Sequence, residues 1–503
     1  MLLFLTIALP MLGGAAMGLM RFSSAKSRGI YVETIVLATS ILTWVLLLTR
    51  TDTTYVLCHM NSELALAFRV DGMSCIFAGL VSILWPLASL YGFEYMQHEE
   101  RPNTFFSYYT MSYAVTLAVA FSANLFSLYV FYECLTLITL PLVIHKKDTM
   151  SIRAGRKYLT FSISGAALAF IALVFIIYYG TTTDFVLGGV LDAEKISGME
   201  ELLKFVFLLA FVGFGTKAAV FPMYAWLPAA SVAPTPVTAL LHADGLLHDI
   251  DAFHENVAVV NAGAYAVLRV IYYSFGASFL YGTWAQTVAL LLSCFTILFG
   301  STMAVREQHF KRRLAYSTIS NLSYMLMGAA LMTPDGMTGS LSHLVIHGVI
   351  KITLFYCAGA ILIKTGKEYV QDLRGYSRIM PATCGIFLLG SIALVGTPPL
   401  AGFVSKWNLL TAASATELPM GTVAIVCLII SAILTAIYLF TAALPMYFRP
   451  LNADQAQLAG QKLDPSWMML LPMGILCALM IGLGLWSQPL VAFLRNISAG
   501  VIF

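Results

Sequence analysis

The sequence predicts an all-α polytopic membrane protein with about fourteen transmembrane helices, some of them broken. Hydrophobic residues make up 59% of the 503 residues and charged residues only 11%, whereas soluble globular proteins carry about 25% charged residues. Long apolar stretches recur along the chain, and a helix needs about 20 such residues to cross a bilayer. The composition excludes a soluble enzyme, a secreted disulfide scaffold and a disordered chain. The net charge of +3 indicates no nucleic-acid partner.

The apolar stretches predict about fourteen spans, with boundaries set to within a few residues. They lie near residues 2–20, 30–49, 71–93, 104–122, 124–144, 158–179, 202–222, 236–275 (interrupted), 281–303, 314–332, 337–363, 381–413 (broken), 420–447 and 467–494. The first span ends at Arg21 without a small-residue cleavage site. We therefore expect it to be retained, unlike a signal peptide.

The charges of the loops predict the orientation of the chain. Most lysines and arginines lie in loops that follow odd-numbered spans, among them Arg21, Lys147, Lys311 and Arg374. Loops rich in lysine and arginine stay in the cytoplasm. We expect a multi-pass protein of the cell inner (plasma) membrane with both termini on the non-cytoplasmic side.

The cysteines and glycines indicate no cofactor on this chain. None of the eight cysteines forms a CxxC pair, which argues against an iron–sulfur cluster, a metal site or a disulfide framework. No phosphate-binding loop or dinucleotide fingerprint is present either. We expect no cofactor, no metal and no catalytic chemistry here, so any redox chemistry would lie on another subunit.

Several charged residues lie inside predicted spans, and four of them stand out: Glu133, Lys217, Lys351 and Lys406. Each mid-membrane charge costs roughly 2.5–3.5 kcal/mol. Any one alone could be a snorkelling side chain or a structural ion pair, but four on four spans favour an ion path. Burial favours the neutral form of a lysine, and a nearby carboxylate favours the charged form. Glu133 and Lys217 are therefore a candidate pair that could switch a proton on and off.

His343, His347 and Lys351 follow one another at intervals of four residues. This spacing places them along one face of a helix. The pattern predicts a proton or water path, with buried structural histidines as the alternative.

Prolines interrupt two predicted spans, in LPAASVAPTPVTALLH at residues 227–242 and in GTPPLAGF at residues 396–403. Proline removes a helix hydrogen bond, and backbone freed at membrane depth must be buried or line a water-filled cavity. Broken spans in corresponding positions of two halves indicate an ion path between repeats. Lys217 precedes one break and Lys406 follows the other; simple proline kinks are the alternative.

With these residues, the APTPVTALLH segment and TPPLAGFVSKW in place, the chain resembles the antiporter-like proton-translocating subunits shared by respiratory complex I, Mrp-type sodium/proton antiporters and membrane-bound hydrogenases. The resemblance covers roughly residues 70–445. It implies fourteen helices and two inverted five-helix repeats. The implied segments are an N-terminal three-helix segment at 1–103, a first inverted repeat at 104–275, a second at 281–447 and a C-terminal helix at 448–503.

The resemblance also implies roles and partners. Glu133 and Lys217 would be the switching pair, Lys351 with the two histidines would continue a central polar axis, and Lys406 would eject or receive the proton. The expected partners are the lipid bilayer and other membrane subunits of the same complex, including related antiporter-like subunits. The transported ions would be protons, or protons together with sodium.

Two features depart from the family pattern. Asn261 stands in a V-N-A-G stretch where relatives commonly have lysine, so His242 or water would have to bridge the two halves. Residues 244–256 contain four acids and two histidines, which cannot face lipid. They are either a polar loop or an acidic, cation-attracting gate beside His242.

Two other functions remain open at this point. The chain could be a non-conducting scaffold subunit that anchors a soluble redox module, and Asn261 with residues 244–256 is the best support for it. A self-contained transporter of a small solute is the third hypothesis, but a long row of proton-active residues fits it poorly.

Overall fold

The computed structural model describes residues 1–49, 53–61, 64–145, 147–229, 257–416, 419–452, 458 and 460–501. Helices make up most of this part of the chain. The N-terminal half contains α1 (Leu2–Leu19), α2 (Ala25–Leu48), α3 (Gly72–Tyr95), α4 (Pro102–Phe121), α5 (Leu125–Val143), α6 (Thr149–Tyr179), α7 (Glu200–Gly215), α8 (Trp226–Ala229) and α9 (Val257–Arg269). The remainder contains α10 (Ala277–Leu280), α11 (Trp284–Arg306), α12 (Phe310–Ala330), α13 (Pro334–Thr365), α14 (Pro381–Val395), α15 (Ala401–Ala415), α16 (Pro419–Phe448), α17 (Trp467–Leu485) and α18 (Gln488–Ser498).

The predicted α-helical membrane class is confirmed. Within the described ranges, nine helices are long and apolar enough to cross a membrane, namely α1, α2, α3, α5, α6, α11, α13, α16 and α17. Their start points follow local chemistry. Asp71, Asn124, Asp148 and Thr333 each accept a hydrogen bond from the backbone N–H three residues later, at the start of α3, α5, α6 and α13. Such caps satisfy backbone donors that have no partner within the helix.

Two features differ from the sequence-based expectation. A small antiparallel hairpin joins α2 to α3, with β1 at Tyr55–His59 and β2 at Ala65–Phe68. Its first strand is mostly exposed, and alternation over so few residues gives too weak a periodic signal to separate a strand from a loop. The last predicted span is two helices, α17 and α18, because the chain leaves the helical conformation at Trp486.

Helix α13 forms the centre of the second half. In the most apolar part of this helix, 94% of the residues are buried. The helices that pack around it are α3, α9, α12, α14, α15, α17 and α18. A helix surrounded by protein can carry polar side chains that lipid would exclude. Its inward-facing residues are therefore the natural place for a polar path.

Three interruptions break the regular helices. Helix α7 ends at Gly215 and a series of turns leads to α8; α14 and α15 are separated at residues 396–400; and α9 runs directly into a π-helix at Val270–Phe275. The second break depends on glycine. Gly396 has φ of +96°, a conformation that only glycine adopts readily, and a side chain on Gly402 would overlap the carbonyl of Ala393.

Candidate functional site

Lys217 lies in the turn that follows α7, and Glu133 projects from the middle of α5. The Lys217 Nζ atom is 3.9 Å from the Glu133 Oε1 atom. The lysine side chain is 1% exposed and the glutamate side chain 24% exposed. The structure thus brings together the two residues that the sequence predicts as a pair.

The Lys217 ammonium interacts mainly with the residue before Glu133. It donates a hydrogen bond to the backbone carbonyl of Tyr132 and lies 3.4 Å from the centre of the Tyr132 ring, a favourable cation–π position. The Tyr132 hydroxyl in turn donates to the carbonyl of Phe214 at 2.5 Å. Glu133 Oε1 has no hydrogen-bond partner among the described residues. The ion pair is therefore held by charge, without a direct hydrogen bond.

Neighbouring helices fix the turn that carries Lys217. The Trp226 indole donates to the Thr216 carbonyl at 2.7 Å, which ties α8 back to the end of α7. On the other side, α9 approaches so closely that a Cβ atom on Gly263 would lie 2.9 Å from the Lys217 carbonyl carbon. Only glycine allows this contact. Asn261, two residues earlier on α9, is fully buried, and neither amide atom finds a partner within the described residues.

The second cluster lies on α13. The rings of His343 and His347 are 5.6 Å apart and nearly parallel, at 18°. Lys351 is 0% exposed and donates to the Leu314 carbonyl at 3.0 Å and to the Ser317 hydroxyl at 2.6 Å. The predicted stripe therefore faces protein, and its lysine is held by α12.

Lys406 reaches the same cluster from α15. Its ammonium donates across the helix break to the Val395 carbonyl at 3.1 Å and lies 5.4 Å from the Tyr324 ring centre. Tyr324 packs against His343 at 5.3 Å, and the preceding residue on α15, Ser405, lies 3.0 Å from His343 Nδ1. A continuous row of contacts thus leads from Lys406 through Tyr324 to His343.

Some polar partners were not predicted from the sequence. Tyr132 supplies a backbone carbonyl, which no side-chain pattern reveals. Ser317 bonds both Lys351 and the Tyr438 hydroxyl, the latter at 2.5 Å, but serine is common in helices and gave no signal. Tyr324 begins the apolar stretch at residues 324–327, and its position there gives no sign of a functional role. Only the folded chain brings these residues to the charged ones.

A further ion pair joins α3 to α9 away from the two clusters. The Arg269 guanidinium is fully buried and binds both carboxylate oxygens of Asp71, at 2.6 and 2.7 Å. It also donates to the Tyr265 hydroxyl at 2.7 Å. This bidentate geometry is strong and specific, so it fixes the end of the helix that carries Asn261 and Gly263.

The two clusters are linked by α9, which packs against α7 on one side and against α12 and α13 on the other. His242 and residues 244–256 lie outside the described residues. The arrangement is thus a pair of buried clusters of ionisable residues, in which Lys217 and Lys406 each lie beside a helix break.

Known proteins match most of the chain. Residues 122–435 match the family described as NADH:quinone oxidoreductase/Mrp antiporter, TM, and residues 59–106 match NADH-Ubiquinone oxidoreductase (complex I), chain 5 N-terminus. The chain is 28% identical over 427 residues to an NADH-quinone oxidoreductase subunit of Desulforudis audaxviator, which is 82% of this chain and 80% of the relative.

Two further relatives represent the other branches of the resemblance. The chain is 31% identical over 404 residues to a Na(+)/H(+) antiporter subunit of Alkalihalophilus pseudofirmus, or 76% of this chain and 47% of the relative. It is 30% identical over 355 residues to hydrogenase-4 component B of Escherichia coli, or 68% of this chain and 50% of the relative. The chain spans about half the length of each of these two relatives.

The fold is also found in a solved assembly. A chain of the Mrp complex from a Dietzia species superimposes with a TM-score of 0.81 and 20% sequence identity, covering 99% of this chain and 97% of that chain. The predicted resemblance is confirmed by the match over residues 122–435. The chain is a multi-pass membrane protein that belongs to the NADH:quinone oxidoreductase/Mrp antiporter transmembrane family.

Proposed function

We propose that this chain translocates protons, or exchanges sodium for protons, through a central axis of buried polar residues. The observation that carries the proposal is the contact between Lys217 and Glu133, at 3.9 Å and with Lys217 1% exposed. A buried lysine beside a carboxylate in a membrane protein is costly and marks a functional site. Membership of a family that includes antiporter subunits supports ion transport.

The proposed switch uses the competition for the Lys217 ammonium. When Glu133 approaches, its charge stabilises protonated Lys217; when the ammonium turns to the Tyr132 carbonyl, a neutral acceptor, burial favours proton release. The released proton then moves along the axis. The first half of the chain would act through this one pair.

The second half continues the axis over His343, His347 and Lys351. Both nitrogens of His347 lack hydrogen-bond partners among the described residues, and such buried polar atoms are the ones that internal water binds. A hydrated histidine can pass a proton between its neighbours. Lys406, beside the break between α14 and α15, is proposed as the terminal residue that ejects or receives the proton.

The link between the halves is proposed to run past Asn261 and His242. Asn261 lies on α9 between the two clusters, and its amide, which has no partner in the described ranges, can bind water but cannot carry charge. His242, in the segment 230–256, would supply the titratable group. Residues 244–256 are proposed to be a polar loop at this point, with the acidic gate as the alternative.

The proposed architecture is the one that the resemblance implies. Among the described helices, fourteen spans remain when α7 with α8 and α14 with α15 are each counted as one interrupted helix and the short α10 and α18 are left out. We propose inverted repeats at 104–275 and 281–447, flanked by segments 1–103 and 448–503. The support is positional, since each proposed repeat has its break in its fourth helix and a buried lysine at the break.

We further propose that the chain works inside a larger complex in the cell inner membrane, with both termini on the non-cytoplasmic side. Its relatives are named as subunits of quinone oxidoreductases and antiporters. The partners would be other membrane subunits, including related antiporter-like ones, and the chain would carry no cofactor. A non-conducting scaffold is the second candidate, favoured by the uncharged Asn261 on the linking helix.

The test is Glu133→Gln in the purified complex reconstituted into vesicles. The amide keeps the shape of the side chain but removes its charge, so assembly should persist while ion translocation falls. Glu201→Gln is the matched control, because Glu201 is 72% exposed and its partners are Lys204 and Trp284, outside both clusters. Full translocation by an assembled Glu133→Gln complex would contradict the proposal and favour the scaffold.

A further inference from the structure

Two adjoining cavities open at the end of the bundle where α11 ends and α12 begins. The first, of about 270 Å³, is lined by Gln308, Arg313, Gln371 and Arg374 together with residues of α16. The second, of about 540 Å³, runs along α16 to Phe448 and Arg449. They share Ile437, Thr441 and Pro445. One cavity is basic and polar, and its neighbour is apolar.

Arg313 places a buried positive charge in the wall of the first cavity. The residue is only 3% exposed, and its guanidinium donates to the Glu307 carbonyl at 2.9 Å, the Tyr438 carbonyl at 2.9 Å and the Thr441 hydroxyl at 2.8 Å. These acceptors are neutral, and no carboxylate lies within ion-pair distance of Arg313 in the described part of the chain. The Glu307 carboxylate lies nearby but pairs with Arg312 at 3.5 Å. The Arg313 guanidinium is therefore left without a direct counter-ion among the described residues and can attract an anion.

The walls of the polar cavity are fixed by hydrogen bonds. The Val370 amide donates to the Gln308 carbonyl at 2.9 Å, and the Gly375 amide donates to the Pro445 carbonyl at 3.0 Å. These bonds hold the segment with Arg374 against the end of α16. Arg374 is exposed and stands at the mouth of the cavity, so a second positive charge faces the ligand position.

The apolar cavity lies on a surface that faces outward from the protein. Ile437, Leu444 and Phe448 on α16 are 43%, 44% and 81% exposed, as expected of a helix that contacts lipid. Arg449 follows at the end of the helix and is also exposed. A groove for hydrocarbon thus ends beside a basic cavity at the membrane interface.

We propose that the two cavities together bind one anionic phospholipid. Its phosphate would contact Arg313 and Arg374, Arg449 would balance further charge on the headgroup, and an acyl chain would follow the groove along α16. Basic pockets between helices at the membrane interface are suited to such headgroups. Free phosphate would use the arginines but not the adjoining groove, so the paired cavities favour the lipid.

The bound lipid would lie near the proposed proton axis. Arg313 binds the carbonyl of Tyr438, the Tyr438 hydroxyl bonds Ser317, and Ser317 accepts from Lys351. A headgroup bound to Arg313 would therefore be connected, through Tyr438, to Ser317, the residue that accepts a hydrogen bond from Lys351. The binding site itself does not depend on the proposed function.

The experiment measures labelling of the purified native complex by photoreactive phosphatidylglycerol and by photoreactive phosphatidylcholine with the same chains. We expect the anionic probe to label residues 436–449 preferentially. The double variant Arg374→Gln/Arg449→Gln should reduce this labelling by a factor of about 25, since each interfacial arginine contributes a factor of about five. Arg378→Gln, an exposed arginine of the same segment outside both cavities, should leave labelling unchanged.

Several results would overturn the proposal. Equal labelling by the two probes would show an unspecific lipid surface. Full competition by inorganic phosphate would show a site for the free anion, and capture of another protein of the complex in place of lipid would show a protein interface. Unchanged labelling of the double variant would remove the arginines from the site. None of these readouts requires ion transport, so they are separate from the test of Glu133.

Discussion

The ammonium of Lys217 lies 3.9 Å from the carboxylate of Glu133, yet its hydrogen bond goes to the backbone carbonyl of Tyr132. Direct hydrogen bonds between an ammonium and a carboxylate are about 2.7–2.9 Å long. The lysine therefore has a charged and a neutral acceptor on adjacent residues of α5. A movement of the lysine side chain by about an ångström would bring its ammonium within hydrogen-bond distance of the carboxylate.

If the pair acts as a unit, the double variant Glu133→Gln/Lys217→Ala should translocate ions no more slowly than the worse single variant. Residues that share one interaction lose it once, so their effects do not add. The measurement is the initial rate of ion translocation by the four reconstituted complexes. Removing Glu201, which is 72% exposed, together with Lys204, which is 18% exposed and 2.5 Å from it, should change nothing. If the double variant instead loses as much activity as the two single variants combined, Glu133 and Lys217 act independently and the hypothesis of a pair is wrong.

Ser317→Ala should slow translocation but less than Lys351→Ala does. The hydroxyl accepts from Lys351 at 2.6 Å, and its loss leaves the ammonium with the Leu314 carbonyl as its one acceptor among the described residues. Ser391→Ala is a matched control, because that buried hydroxyl bonds only the carbonyl of Phe387 in its own helix. Equal rates for Ser317→Ala and Ser391→Ala would show that the contact with Lys351 has no part in transport.

Deleting residues 244–256 distinguishes a polar loop from an acidic gate. A loop should be removable with transport intact, because loop length has a small effect on stability. If the segment is a gate, the deletion should abolish transport while the complex still assembles. Neutralising four acids together should then weaken the dependence of transport on cation concentration; they are Asp244, Asp249, Asp251 and Glu255. The measurement is the transport rate of the deletion variant, divided by the amount of that variant in the assembled complex. We expect the loop.

Asp71→Asn should lower the melting temperature of the protein in detergent. The change leaves the buried Arg269 without its counter-charge, and breaking such a pair costs about 3–5 kcal/mol. Asp192→Asn is the control, since its partner Lys195 is 4.0 Å away and 49% exposed, and such surface pairs contribute about 1 kcal/mol or less. Similar melting temperatures for both variants would show that the buried pair contributes no more than the exposed one.

The same pair should give stability a pH dependence below neutrality. Asp71 lies just before the first residue of α3. Burial raises the pKa of its carboxyl, but the charge and hydrogen bonds of Arg269 outweigh it and hold the pKa at about 2. In the unfolded chain the value is about 3.9. The contribution is therefore full above about pH 5 and declines as the pH falls towards 2. The difference in melting temperature between wild type and Asp71→Asn should shrink over this interval; a constant difference would contradict the assignment.

The sequence was most informative where a residue type conflicts with its surroundings. Glu133, Lys217, Lys351 and Lys406 are visible because charge in an apolar span is costly, and the helical class follows from composition. The partners of these charges could not be predicted, because backbone carbonyls such as that of Tyr132 have no sequence signal. Asp71 begins the predicted span at 71–93, where charge is ordinary, and Arg269 lies six residues before the end of the span at 236–275; nothing in the sequence pairs the two.

Helix α13 contains 32 residues without interruption, which makes it about 48 Å long against a hydrocarbon core of about 30 Å. A continuous helix of this length is stiff, so the spacing between His343, His347 and Lys351 is constant, at about 6 Å of rise per step. Any gating must therefore come from the elements around this rod. We expect such movement at the interruptions after α7 and between α14 and α15, with α13 as the element that stays in place.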